Sequence, residues 1–501
     1  MNRKLSFSRY HGFLLFVLVL AVVSRFLFLT NKPVHFDEGI NGWFVMQMTK
    51  TGFYKYDPTN YHGPLYFYLL LILELFLGRS VATLRALPSL FGVASVLFVG
   101  WDFFATRKVR VPLVLFLLLS PAFLFFGRSG IHEMPFVFFQ LVGAVGLLRW
   151  IEKKDTTAFN LVIVGLWGAM LLKETFAVTM FAWGVAFLTL GWAEIRALFA
   201  KSTWSQVWNR QTRLLSLSLL AAFVLFFTGF MANPRGIVDF FAAFLPWMKT
   251  GHSGNGHEKE FLYWVKVLVE AEPLVILGML CSVPGVFAKN KSLRAISVFS
   301  LVQFFIYSII PYKTVWCILS LVWGFYFVLA YSLNEVKHKA LKIALWTATI
   351  ALGLFQLKSA YQSVYAQPIR MEHPYVYVNS TYEMKNLTEL IEQGFARHPE
   401  WGKETIQVGM REQWPWPWVF HSHDNLDYNQ CGQFVKPDAL VYFCDLVDTA
   451  HLESQLQLPY IKIIVTFRQS KEASVVYLRA AEFESLYQGN SVRIEPKKGT
   501  P

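Results

Sequence analysis

The chain has 501 residues, of which 54% are hydrophobic, 17% aromatic and only 16% charged, with a mean hydropathy of +0.39; this composition excludes an ordinary soluble domain and points to a bilayer. A formal charge of +13 would suggest nucleic acid in a soluble protein. Here Lys and Arg punctuate apolar runs, so they read as topology signals and contacts to anionic membrane lipids, and no nucleic-acid partner is expected.

The first apolar run, Phe13 to Leu29, is long enough to span and lacks a small-residue cleavage pattern, so it reads as an anchor. Further runs lie at about 81–104, 111–127, 134–150, 159–172, 175–192, 214–232, 262–287, 295–310, 314–332 and 341–358. The expected fold class is a polytopic α-helical membrane protein of about 11 spans with a small C-terminal extracytoplasmic α/β domain. The apolar stretch 63–79 is read as a juxtamembrane helix that does not cross. Only then do six basic clusters fall on one side, the cytoplasm: Arg3/Lys4/Arg9, Arg107/Lys108/Arg110, Arg149/Lys153/Lys154, Arg196 to Arg213, Lys289/Lys291/Arg294 and Lys337/Lys339. The other face collects residues 31–62, Arg128 to Glu133, Lys173-Glu174, the loop 233–261, Pro311-Tyr312-Lys313 and the tail after about residue 360.

Residues 1–360 are expected to form the membrane domain and 361–501 the external one. In the tail, short apolar runs at Tyr375 to Val378, Ile406 to Gly409, Ala439 to Cys444 and Tyr460 to Phe467 read as strands, and Tyr382 to Arg397 has helical spacing. Cys281 and Cys317 sit in apolar runs. Only Cys431 and Cys444 share the polar tail, and their spacing alone does not decide whether they are bridged.

Asp37 and Glu38 open a helix suggested by Ile40 to Met48, a place where acidic residues also serve simply as helix N-terminal groups. Adjacent side chains diverge, so the two do not form a shared-proton dyad. The order of a span, this Asp-Glu loop, the segment Tyr61-His62-Gly63-Pro64-Leu65-Tyr66-Phe67-Tyr68 and Leu84-Arg85-Ala86-Leu87-Pro88-Ser89 resembles the dolichyl-phosphate-mannose protein mannosyltransferase and aminoarabinose transferase superfamily. Within it, His35-Phe36-Asp37-Glu38 with Pro311-Tyr312-Lys313-Thr314 resembles the flippase-activity-associated branch. The similarity covers roughly residues 10–360, and the tail joins it only through Trp414-Pro415-Trp416-Pro417-Trp418.

The resemblance implies a GT-C fold, a polyprenyl-phosphate-linked sugar as donor, and Asp37 as the catalytic base, with Glu38 sharing or orienting the site and Glu133 as a second acidic residue. A departing polyprenyl phosphate must be met by cations or hydrogen-bond donors. His35, His62, Arg128, His132, Lys173, Glu174, His257, Glu258, Lys259 and Lys313 are the candidates for binding its phosphate and sugar. Each basic residue has a plainer reading as a cation reaching for headgroups. Lys173-Glu174 equally suits a local ion pair, Lys313 a proline-defined turn, and Glu133 a helix-initiating acid. The glycine-rich segment from Gly251 to Glu260 reads as a lid. His252, His257 and Glu258 lack tight ligand spacing, so no metal is expected, and no cofactor is implied.

The function that follows is hexosyl-type transfer from polyprenyl phosphate to a glycan, lipid or protein acceptor by an inverting displacement. The competing reading is a lipid-linked-oligosaccharide flippase or its accessory, against which the spans carry few midplane charges. The orientation makes a direct prediction: a reporter fused after residue 360 is exposed outside the cell membrane, and a cytoplasmic signal would reverse the site assignment.

Overall fold

The computed structural model describes residues 9–252, 257–469 and 473–496. The chain divides into two compact units, Met1–Leu29 with Thr51–Tyr375, and Thr30–Lys50 with Val376–Pro501.

In the first unit, seven helices among the described residues are long and apolar enough to cross a membrane: Arg9–Phe26, Val81–Gly100, Glu133–Lys153, Arg210–Phe227, Lys291–Ile309, Val315–Glu335 and Lys339–Ala366. The count becomes eight if Arg107–Leu119 and Pro121–Arg128, bent by 54° at a break, are one span. The protein is therefore an integral membrane protein. The expected runs 159–172, 175–192 and 262–287 are also helical, but as the shorter apolar helices Thr156–Met170, Phe176–Leu188 and Pro273–Gly285, so seven or eight of the about 11 expected spans are helices that meet the length of a crossing. The third is cut short because Pro273 cannot continue the preceding helix Tyr263–Ala271. The stretch 63–79 forms the helix Leu65–Leu77.

Packing in this unit relies on small residues where helices meet. A Cβ on Gly165 would collide with the backbone of Gly143, so the Thr156–Met170 helix approaches Glu133–Lys153 as only glycine permits. Buried cations secure the helix ends. Arg25 donates to the carbonyls of Leu117 at 3.1 Å and Leu118 at 3.3 Å, Arg85 to Leu29 at 2.9 Å, and Arg110 to Gly100 at 3.1 Å. The carbonyls of Leu117, Leu118 and Gly100 are among those that a helix C-terminus leaves without an intrahelical partner, and that of Leu29 lies in the turn just past the first helix. Glu272 performs the reverse task at the 54° bend, accepting from the Ala122 N–H at 2.6 Å and from the hydroxyls of Ser120 and Tyr375 at 2.9 Å.

The second unit contains a six-stranded sheet: β1 Ile406–Gly409, β2 Leu426–Asp427, β3 Val441–Asp445, β4 Tyr460–Val465, β5 Ser474–Arg479 and β6 Val492–Ile494. Its order is β2-β1-β3-β5-β4-β6. Strand β1 runs parallel to β2 and β3, while β5 is antiparallel to β3 and β4, and β6 to β4. The Tyr382–Arg397 helix forms over its expected residues, started by Thr381, whose hydroxyl accepts the Met384 N–H at 3.2 Å. Its apolar side contributes Leu387 and Ile391 to a core with Trp416, Phe443 and Val476. Tyr375 to Val378 is not a strand, contrary to expectation. Its backbone is committed elsewhere: the Tyr377 carbonyl is taken by a histidine ring, and Val378 has φ +47°.

Cys431 and Cys444 are joined by a disulfide with their Cα atoms 5.8 Å apart. Closing a loop of this length stabilises by roughly 3 kcal/mol. Cys431→Ala is therefore expected to lower the denaturant or thermal stability of the C-terminal unit by about that amount under oxidising conditions, with the difference vanishing in reductant; equal melting of variant and wild type without reductant would contradict this.

Candidate active site

The helix Phe36–Thr51 carries the Asp-Glu pair in its first turn. His35 is its cap. The ring Nδ1 accepts the Asp37 backbone N–H at 3.2 Å, and Glu38 reaches back to accept the His35 backbone N–H at 2.9 Å. This is a capping box with histidine in the place of the usual serine or threonine. Because Nδ1 accepts, the proton sits on Nε2, which donates to the Tyr377 carbonyl at 3.1 Å. Burial pushes the His35 pKa down to about 4, against the upward pull of the Tyr377 bond and the Glu38 charge, with Lys32 and Arg468 lowering it further. The ring is thus a neutral strut. Glu38, fully buried, is spent on starting the helix, whereas the Asp37 side chain is 25% exposed and so remains reachable by a substrate.

The same helix lies on the tryptophan-proline segment. A Cβ at Gly39 or Gly42 would collide with Pro415 or Trp418, and Trp43 meets Trp414 edge-on with centroids 5.7 Å apart. The segment Trp414 to Trp418 is therefore the bed on which the Asp37 helix rests, and Arg468 covers the Phe36 ring at 4.8 Å.

In the first unit a cavity of about 180 Å³ is lined by His62, Lys173, Glu174 and Lys313 together with Trp247, Trp264, Tyr307 and Trp316. Lys173 and Glu174 lie in the turn between the Thr156–Met170 and Phe176–Leu188 helices. Lys173 Nζ donates to the Glu133 carboxylate, with both side chains buried. Burial alone would lower the Lys173 pKa, but the adjacent Glu133 outweighs it and holds the group well above its ordinary value, so the ammonium stays charged. Glu174 Oε2 is 3.3 Å from His62 Nδ1. That histidine is fixed because the next residues are stitched to the turn, Gly63 N–H to the Leu172 carbonyl at 3.0 Å and Leu65 N–H to that of Leu171 at 3.1 Å. His132 packs its ring 4.8 Å from His62 and 4.2 Å from Tyr66. Burial, reinforced by His62 and Lys173, holds it well below its ordinary pKa, so it is neutral.

Lys313 enters by a different route. Its Nζ donates to the carbonyls of Ile310 at 2.6 Å and Lys259 at 3.1 Å, and burial lowers its pKa. Residues 257–259 pair with 311–313, the Lys313 N–H bonding the His257 carbonyl at 3.1 Å and the Lys259 N–H that of Pro311 at 3.0 Å. Pro311-Tyr312-Lys313 is thus half of a short antiparallel clasp, bridged at Glu258 and Tyr312.

The candidates therefore separate into groups. Glu133, His62, His132, Lys173, Glu174 and Lys313 gather at or beside the cavity. His257, Glu258 and Lys259 contribute mainly backbone to the clasp. Arg128 is elsewhere: its guanidinium donates to the carbonyls of Ser24 and Arg25 at 3.1 Å and Phe28 at 2.9 Å, closing the end of the first helix. His35, Asp37 and Glu38 belong to the second unit. The aromatic lining and Arg468 escaped sequence reading. Part of the expected lid, residues 253–256, lies outside the described residues. Among the described residues no group of three His, Cys, Asp or Glu side chains is arranged to hold a metal.

No family model matches the chain, and no curated protein matches it. Among solved structures, it is similar to ArnT from Cupriavidus metallidurans in the apo state, with a TM-score of 0.62 and 11% identity, covering 96% of this chain and 100% of that one. It is equally similar to the structure of the same protein bound to undecaprenyl phosphate, with a TM-score of 0.63 and 12% identity over 93% and 98% of the two chains. At such identity the likeness is one of fold, and it extends over nearly the whole chain.

The His35 strut gives a pH signature. Its folded pKa lies below the ordinary 6.5, so its contribution is fully present above 6.5 and is lost as pH falls through about 4. The span corresponds to on the order of 3 kcal/mol. His35→Asn keeps a capping oxygen without the titration. Wild-type melting should therefore fall more steeply than that of the variant between pH ~6.5 and ~4; parallel curves would show that the ring is not held neutral.

Proposed function

We propose that the chain is a membrane glycosyltransferase that moves a hexose-type sugar from a polyprenyl-phosphate donor to an acceptor on the extracytoplasmic side. The observation that carries this reading is the first unit's cavity: an ammonium held charged by Glu133 beside His62 and Lys313, set among Trp247, Trp264 and Trp316. Cations and imidazole suit a phosphate, and indole rings suit the first isoprene units. A fold shared with a protein whose structure contains undecaprenyl phosphate supports the same donor class. The fold alone would not, since one fold hosts many chemistries.

In this reading the acceptor hydroxyl gives its proton to the Asp37 carboxylate and its oxygen bonds to the anomeric carbon. The bond from that carbon to the phosphate oxygen breaks, and its electron pair leaves on polyprenyl phosphate with inversion at the sugar. Within the first unit, Lys173 with His62 and Lys313 is the group proposed to bind the donor phosphate. Glu133 positions Lys173 and keeps it protonated. Glu38 and His35 hold the turn that carries the base.

Sugar release from radiolabelled polyprenyl-phosphate monosaccharides by the purified protein tests this. Asp37→Asn is expected to reduce turnover by about 10²–10⁴, and Lys173→Met to raise the donor KM roughly tenfold or more. A variant at Asp37 with wild-type turnover rules out that base. Absence of release from every donor, with movement of lipid-linked sugar across the bilayer, would favour the transport reading instead.

A further inference from the structure

A second cavity lies wholly within the C-terminal unit. It measures about 430 Å³ and is lined by Met410, Arg411, Glu412 and Trp414 following β1, Asp445 at the end of β3, and Arg468 beyond β4. Its polar groups are anchored. Asp445 Oδ2 accepts the Arg411 backbone N–H at 3.0 Å, and Arg468 donates to the Trp414 carbonyl at 2.7 Å while pairing with the Glu412 carboxylate. The Arg468 and Asp445 side chains are 12% and 23% exposed, against 67% for Arg411 and 56% for Glu412, so the cleft has a fixed floor and a solvated rim.

The charges balance, two guanidiniums against two carboxylates, which leaves no surplus to select a phosphate or an acidic headgroup. What remains is a close alternation of hydrogen-bond donors and acceptors beside the indoles of Trp414 and Trp416, the Phe467 ring and a thioether. Hydroxyls that both donate and accept, on a ring with apolar C–H faces, are the complement of such a lining. The cleft is also tied to Asp37. Arg468 stacks on Phe36 at 4.8 Å and lies within electrostatic reach of the Asp37 carboxylate, and Trp414 contacts Trp43 on the same helix.

We propose that this cleft is the acceptor subsite, that it binds a saccharide unit, and that it presents one hydroxyl of that saccharide to Asp37. The assignment rests on the transferase reading above and selects a glycan from the glycan, lipid and protein acceptors that the sequence leaves open.

The test uses the full-length protein in detergent, irradiated with diazirine-bearing methyl glycosides of mannose, glucose and N-acetylglucosamine, with labelled peptides located by mass spectrometry. At least one probe is expected to label residues 410–416 or 467–469, to be displaced by the untagged glycoside, and to lose about tenfold or more of that labelling in both Trp414→Ala and Asp445→Asn. The conservative second substitution guards against misfolding of the first. Labelling absent from these residues with all three probes, or unmoved in both variants, overturns the proposal. Sugar release measured on the same preparation separates the two readings. Release without cleft labelling keeps the transferase and removes the subsite. Cleft labelling without release removes the transferase, and with it the acceptor role.

Discussion

Carbonyl groups at helix ends have no water to turn to inside a bilayer, and most of the buried cations in the membrane unit answer that constraint. Arg25, Arg85, Arg110 and Arg128 each spend N–H groups on carbonyls at or just past the end of a neighbouring helix, where the partial negative charge of the helix dipole also favours a cation. Lys313 does the same for Ile310 and also holds the Lys259 carbonyl in the clasp. Lys173 differs in that its partner is a buried carboxylate on the cavity wall, whereas Arg110 adds the exposed Asp102 to its carbonyl and Lys313, in the same wall, is held by backbone. A cation held by backbone is part of the scaffold, whereas one balanced by a single acid can exchange part of that interaction for an arriving anion.

This distinction also explains what was legible in the sequence. Arg128 was a reasonable phosphate ligand on paper, because a helix C-terminus and a phosphate ask for the same donors, and only the contacts with Ser24, Arg25 and Phe28 tell them apart. Glu133, His62, His132, Lys173 and Glu174 were findable since polar residues interrupting apolar runs stand out. Trp247, Trp264 and Trp316 were not, because in a chain with 17 tryptophans a cavity wall and a lipid-facing stripe look identical. The two readings of the Asp-Glu pair divided between its members: Glu38 is the helix-starting acid and Asp37 the accessible one.

The fold was legible where periodicity is strong. All eleven apolar runs became helices, and Tyr382–Arg397 kept its expected bounds because Thr381 caps it. Strand assignment failed at Tyr375 to Val378, where an apolar run gives its backbone to His35 rather than to a ladder; it missed β5, which pairs with β3 and β4, and also β2 and β6, which are two and three residues long and exist through their pairing with β1 and β4. No local signal reveals that residues 30–50 group with a segment beginning more than three hundred positions later.

That last feature bears on how the protein is made. The bonds that fix the Asp37 helix, from the His35 ring to Tyr377 and from Ser380 to the Val34 carbonyl, join positions 342 and 346 apart. During synthesis the helix is among the first parts to leave the ribosome, yet its bed at Trp414 to Trp418 emerges only after every membrane helix has been delivered. Until then the helix has its capping box but not its packing, and the glycine face at Gly39 and Gly42 has nothing to press against. Fixing of the Asp37 helix is therefore a late event in biogenesis, and a chain cut short between the Lys339–Ala366 helix and the tryptophan segment retains its membrane helices but lacks a fixed Asp37.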